Sequence, residues 1–195
     1  MLEAFQGRAP RVDPSAFIHV RATLIGDVTI GAGSSVWPSA VLRGDDAAII
    51  IGDETSIQDG AMIHATEGLS ATTVGSRVTV GHGVILHGCT IGDECLIGMG
   101  AIVLDNAVVE SGAFVGAGAL VPPNKVVRRG ELVVGNPAKV IRASAPRTTS
   151  GSSTRGGPTP SAPASTWLSG RPAAPRGSPR APKASPLAKV HASPR

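Results

Sequence analysis

Between residues 12 and 133 aliphatic side chains recur six residues apart with three breaks in phase, and no other feature of the chain restricts its fold so severely. Val12, Ile18, Leu24, Ile30, Val36 and Leu42 run without a break. After a three-residue insertion the series resumes at Ile51, Ile57 and Ile63. It restarts at Val74, Val80 and Leu86, slips by one, and continues through Ile91, Ile97, Val103, Val109, Val115, Val121, Val127 and Val133. A helix of period about 3.6 cannot keep every sixth residue on one face, and an ordinary half-buried strand alternates along its whole length. A triangular coil with three six-residue sides, about 18 residues to the turn, satisfies the pattern. Each Val, Ile or Leu points inward and stacks on its equivalent one coil away, and adjacent coils pair as parallel strands ~4.8 Å apart.

The residues around the aliphatic position agree. Two before it stands something small, as at Ala22, Ser34, Ala40, Thr55, Ala61, Thr72, Cys89, Cys95, Ala101 and Ala107, which lets the chain turn a corner. Gly follows it at Gly31, Gly52, Gly75, Gly81, Gly92, Gly98 and Gly116, where a tight or positive-φ backbone is expected. A thin aliphatic column has no room for rings, which accounts for an aromatic content of 3% with no Tyr.

Composition divides the 195 residues in two. Ten of the 16 prolines lie after Arg142. Residues 1–143 hold 10 Lys/Arg against 14 Asp/Glu, whereas residues 144–195 hold 8 Lys/Arg and no acid, so the net charge of +4 is −4 on the first part and +8 on the second. The expected domains are a β-helix over 1–143 and a basic Pro/Ser/Ala-rich tail over 144–195, disordered from about residue 146 because it cannot bury enough apolar area to offset its ordering entropy. Trp167 is the one Trp, Phe or Tyr of that tail. Its charge lacks interleaved aromatics or a nucleic-acid-binding module, so no specific nucleic-acid partner is expected. Without a leader at Met1 or an apolar run of ~18 residues, no membrane association is expected and a cytoplasmic location is the default. Cys89 and Cys95 occupy small-residue corner positions, which predicts buried structural thiols rather than a disulfide or a nucleophile.

Register also places the histidines. His64 and His87 each follow an inward residue of the third side, Ile63 and Leu86, one coil apart. Their rings should project from one face, one above the other, at a spacing suited to sharing a metal. His82 stands two residues past Val80 on the second side, where it should reach the pair of a neighbouring chain rather than its own. A cyclic trimer closes that arrangement. Three imidazoles leave a coordination position open for water, as catalytic sites do. Arg43 and Asp45 on the third side, with Gln58 and Asp59 on the second, fall beside the same cleft and are candidates for orienting ligands and water. His19 lies far along the axis and His191 in the tail, and neither is expected to be a ligand.

The stretches "IGAGSS", "IGDECL" and "VGAGAL" resemble hexapeptide-repeat proteins, whose prisms are left-handed parallel β-helices. "VWPSAVLRGD", "SIQDGAMIH", "VTVGHGVILHGC" and "IGMGAIV" are similar to gamma-class carbonic anhydrase-like proteins over about residues 8–142. That resemblance implies Zn2+, with Fe2+ or Co2+ in some members, held by His64 and His87 of one subunit and His82 of the next. It implies an inter-subunit ion pair of Arg43 with Asp45, Gln58 and Asp59 near a bound water, and reversible hydration of carbon dioxide to bicarbonate. The chain departs from the best-studied family member at Ser56, where that enzyme has Asn. It also has a short loop after His64 with only Glu67 as a proton-shuttle candidate, and it lacks a late active-site Tyr. Where many relatives end in an amphipathic helix, "NPAKVIRA" here runs directly into the tail. The alternatives are an acyl-CoA thioesterase on the same metal site, a hexapeptide acyltransferase, suggested also by "GNPAK", and a non-catalytic trimeric scaffold.

Overall fold

A computed structural model describes residues 1–142 as a parallel β-solenoid of about seven turns. The twenty inward aliphatics form three columns in the register that their spacing predicts. On the first face Val12 opposes Ile30, then Ile51, Val74, Ile91, Val109 and Val127 follow coil by coil. On the second, Ile18, Val36, Ile57, Val80, Ile97, Val115 and Val133 are in line. On the third, Leu24, Leu42, Ile63, Leu86, Val103 and Val121 are in line. Every member from Leu24 onward is buried, and the small corner residues Ala22, Ala40, Ala61, Ala101, Ala107, Ala113 and Ala119 fill the vertices between them. Most strands are only two or three residues long. Stability therefore comes from stacking equivalent side chains between coils and from the backbone ladder that accompanies it.

The glycines that follow the aliphatic positions correct one expectation. Gly31, Gly52, Gly75, Gly81, Gly92, Gly98 and Gly116 do not have positive φ. They are small because the next coil passes directly over them: a Cβ on Gly52 would lie 2.7 Å from the carbonyl carbon of Gly75. The left-handed conformation sits three residues before the aliphatic position instead, with φ from 53° to 72° at Gly33, Glu54, Gly60, Arg77, Glu94, Gly100, Asn106, Gly112 and Asn124 among others. The corner between the first and second faces is tied by side chains. Asp53 Oδ1 accepts from the Ala32 N–H and Asp93 Oδ1 from the Ser76 N–H, both at 2.8 Å, so each coil's Asp satisfies a backbone donor of its neighbour.

Two insertions shape the region that matters for function. The three extra residues after Leu42 are absorbed by one long strand, Val41–Ile51, which turns the corner from the third face to the first alongside Thr23–Ile30. The bulge expected over 64–73 is tighter: His64 still belongs to strand Met62–His64, Thr72–Val74 has rejoined the first face, and residues 65–71 form the loop. The final strand, Lys139–Arg142, runs antiparallel to Leu132–Val134 on the edge of the second face. The last coil is thus covered in part by a returning strand, a closure that the hexad pattern does not encode. The proposed tail boundary, Trp167 and His191 lie outside the described residues. Among the described residues no helix is long and apolar enough to cross a membrane.

Candidate metal centre

The third face brings His64, His87, Arg43 and Asp45 together. His64 pairs in register with His87 across strands Met62–His64 and Ile85–His87. Their ring centroids are 5.2 Å apart, and His64 Nδ1 lies 3.3 Å from His87 Nε2. His64 is 9% exposed. Its backbone carbonyl accepts from the buried Thr72 hydroxyl at 2.5 Å, which fixes the strand end that carries the ring.

Carboxylates stand behind both rings. His64 Nε2 lies 3.1 Å from Asp45 Oδ1 and 3.2 Å from Asp46 Oδ2, and His87 Nδ1 lies 3.2 Å from each oxygen of Asp105. Arg43 donates to Asp45 at 2.5 Å and its second terminal nitrogen approaches His64 Nδ1 at 3.4 Å. This ion pair forms within one chain, whereas the family resemblance implies one between subunits. Burial alone would push the Asp45 carboxyl up, but its own backbone N–H, Arg43, His64 and the Asp46 N–H together hold it below the usual carboxylate range.

The second face carries the other group. Asp59 and His82 occupy the same phase on adjacent coils, each two residues past an inward aliphatic, and His82 Nδ1 lies 3.1 Å from Asp59 Oδ2. The side chains are 52% and 48% exposed, and Gln58 is half-buried beside them. Among the described residues no hydrogen bond or ion pair joins this group to the third-face group of the same chain. Glu67 is exposed in the 65–71 loop and makes no ion pair among the described residues.

Two site residues escaped the sequence reading. Asp46 extends the "RGD" stretch, and its carboxylate, one of Asp45 and a His64 nitrogen lie within 4.8 Å of one another, a group able to hold a cation. Asp105 follows Val103 by two positions. The register that stacks Leu86 on Val103 could have placed it one coil beyond His87.

The donor set suits a borderline divalent cation. Two nitrogens of a tetrahedral site with metal–nitrogen bonds of ~2.0–2.1 Å are about 3.4 Å apart, close to the observed separation, and ligating imidazoles customarily place their other nitrogen against a carboxylate.

Comparison with known proteins agrees with this architecture. Residues 88–123 match the model of the bacterial transferase hexapeptide family (six repeats). The chain is 49% identical over 140 residues to gamma carbonic anhydrase 1, mitochondrial, of Arabidopsis thaliana, covering 69% of this chain and 51% of that protein. It is 45% identical over 148 residues to protein YrdA of Escherichia coli (strain K12), covering 73% of this chain and 80% of that protein. A crystal structure of a hexapeptide transferase family protein from Anaplasma phagocytophilum superposes with a TM-score of 0.71 at 44% identity, over 74% of this chain and 85% of that one. The chain spans about half the length of the plant gamma carbonic anhydrases that it matches. The columns, the histidine-bearing third face and these identities together show that the chain belongs to the gamma carbonic anhydrase-like family of hexapeptide-repeat proteins.

Proposed function

We propose that the chain forms a homotrimer in which His64 and His87 of one subunit and His82 of the next hold a divalent transition metal, Zn2+ first and Fe2+ or Co2+ as alternatives, and that this site hydrates carbon dioxide reversibly. The observation that carries the reading is the 3.3 Å separation of His64 Nδ1 and His87 Nε2 with a carboxylate behind each ring. A cation held there supplies Lewis acidity and lowers the pKa of water toward ~7.

The chain's own residues supply the rest. Asp59 holds His82 by Nδ1, which leaves Nε2 outside that contact as the third donor. Arg43 neutralises Asp45, so that carboxylate serves as a hydrogen-bond partner of His64 rather than as a ligand. For this reason the three-imidazole set is preferred over Asp45, Asp46 and His64 alone. Gln58, half-buried beside Asp59, would hydrogen-bond water or substrate in the proposed subunit cleft.

Assembly is supported by the outward side chains of the third face. Val41, Met62, Ile85, Ile102 and Leu120 follow one another on five consecutive coils, an apolar stripe beside His64 and His87. Met62 and Ile85 are 40% and 37% exposed in the single chain. Such a continuous strip is what a partner subunit covers.

The test joins metal analysis to native mass. The expected result is a trimer with about one metal per chain, loss of metal but not of fold in His82→Ala, and stopped-flow carbon dioxide hydration above buffer. A monomer without transition metal would refute the site. A metal-loaded trimer without hydration would refute the activity, and thiol release from a panel of CoA thioesters would then identify thioester hydrolysis instead.

A further inference from the structure

We infer that Asp105 is the positioning residue of His87, and that the 65–71 loop belongs to the metal site because it locks Asp105. Both Asp105 oxygens lie 3.2 Å from His87 Nδ1, so the ring places a proton there and presents a bare Nε2 toward His64. A ring turned over, or carrying its proton on Nε2, would point an N–H at the place where a cation must sit.

The carboxylate is itself held by the loop. Ser70 Oγ donates to Asp105 Oδ1 at 2.6 Å and Thr66 Oγ1 donates to the same oxygen at 3.1 Å. The Thr66 N–H in turn donates to Ser70 Oγ at 3.3 Å, and the Ser70 N–H donates to the Thr66 carbonyl at 3.1 Å. These contacts join residues 35 and 39 apart in sequence. Gly88, the next residue after His87, makes room for them. Its φ is +60°, and a Cβ there would overlap Ser70 Oγ and Asp105 Oδ1. The Gly88 N–H donates to Thr72 Oγ1 and to the His64 carbonyl, so one network spans both ligand strands, the loop and the Asp105 corner. An exposed bulge that served only to absorb extra residues would need no two hydroxyls converging on one carboxylate oxygen.

The inference rests on the three-histidine reading, and the test separates the two. Long-range imidazole 1H–15N spectra of the metal-free protein report the His87 tautomer directly. The wild type should show the Nδ1–H form, Asp105→Asn should lose it, and zinc affinity measured by chelator competition should fall about 10- to 100-fold. Ser70→Ala keeps the carboxylate and should lower affinity by a smaller factor, about 3- to 10-fold, which preserves the test if Asp105→Asn folds poorly. An unchanged tautomer and unchanged affinity in both variants would overturn the role of Asp105. A wild type that takes up no zinc would end the metal reading, and the tautomer spectra would still decide whether Asp105 sets the ring.

Discussion

Two glycines at one corner of the solenoid should respond very differently to alanine. Gly112 has φ +72° with nothing within 4 Å of an added Cβ. The left-handed conformation costs a non-glycine residue about 1–2 kcal/mol, and restricting the unfolded chain returns about 0.4–1 kcal/mol, so Gly112→Ala should destabilise by about 1 kcal/mol. Gly92 has no such φ, but its Cβ would lie 2.5 Å from the Ser111 nitrogen, where ordinary contact begins at 3.4 Å. The backbone must open by roughly 0.9 Å, which stretches the 2.7 Å bond from the Gly92 N–H to the Val109 carbonyl and the 3.1 Å bond from the Asp93 N–H to Ser111 Oγ beyond useful length. Two hydrogen bonds at about 1 kcal/mol each, with overpacking strain of about 1–3 kcal/mol, make Gly92→Ala worth about 3–5 kcal/mol. Urea unfolding followed by far-UV circular dichroism, at one fixed protomer concentration, measures both. Equal losses, or a larger loss at Gly112, would refute the conclusion that close approach between coils, rather than backbone handedness, demands glycine after the aliphatic position.

Other outcomes follow from the same geometry. Ile85→Lys places a charge in the middle of the third-face stripe and should convert the proposed trimer to monomer in sedimentation equilibrium while the circular dichroism spectrum is kept; a variant that still assembles would exclude that stripe as the interface. The Ser70 hydroxyl, with Thr66 and His87, holds the Asp105 carboxyl below its ordinary value of 3.8 against the opposing effect of burial. Its folded-state value being the lower one, its contribution is present above pH 3.8 and is lost as pH falls through the depressed value, so Asp105→Asn should lose less stability than the wild type on acidification below 3.8 in urea titrations. Burial pushes the Cys89 thiol up to about 12 and raises that of Cys95 as well. Neither should react with a thiol reagent at pH 8 until the chain unfolds, and rapid labelling of native protein would contradict their burial.

How much of this could be read in advance depends on which contacts repeat. An inward position must be aliphatic in every coil, so one rule applied twenty times reveals the columns, the coil length and the stacking of His64 on His87 and of Asp59 beneath His82. The handedness had to come from resemblance, because the spacing is the same for either hand. The reason for the seven glycines that follow an aliphatic is not legible in the sequence, since a tight approach between coils and a positive φ favour the same residue type and differ only in three dimensions. The returning strand Lys139–Arg142 lies beyond the last hexad and obeys no period.

Asp105, Thr66 and Ser70 mark where periodicity stops informing. Register could place Asp105 one coil beyond His87, but Thr66 and Ser70 lie in a loop outside the hexads, which folds back so that two hydroxyls and an imidazole meet one carboxylate. Backbone register repeats and so leaves a trace in composition. The convergence of two loop hydroxyls on a carboxylate 35 and 39 residues away happens once, depends on rotamers, and leaves none.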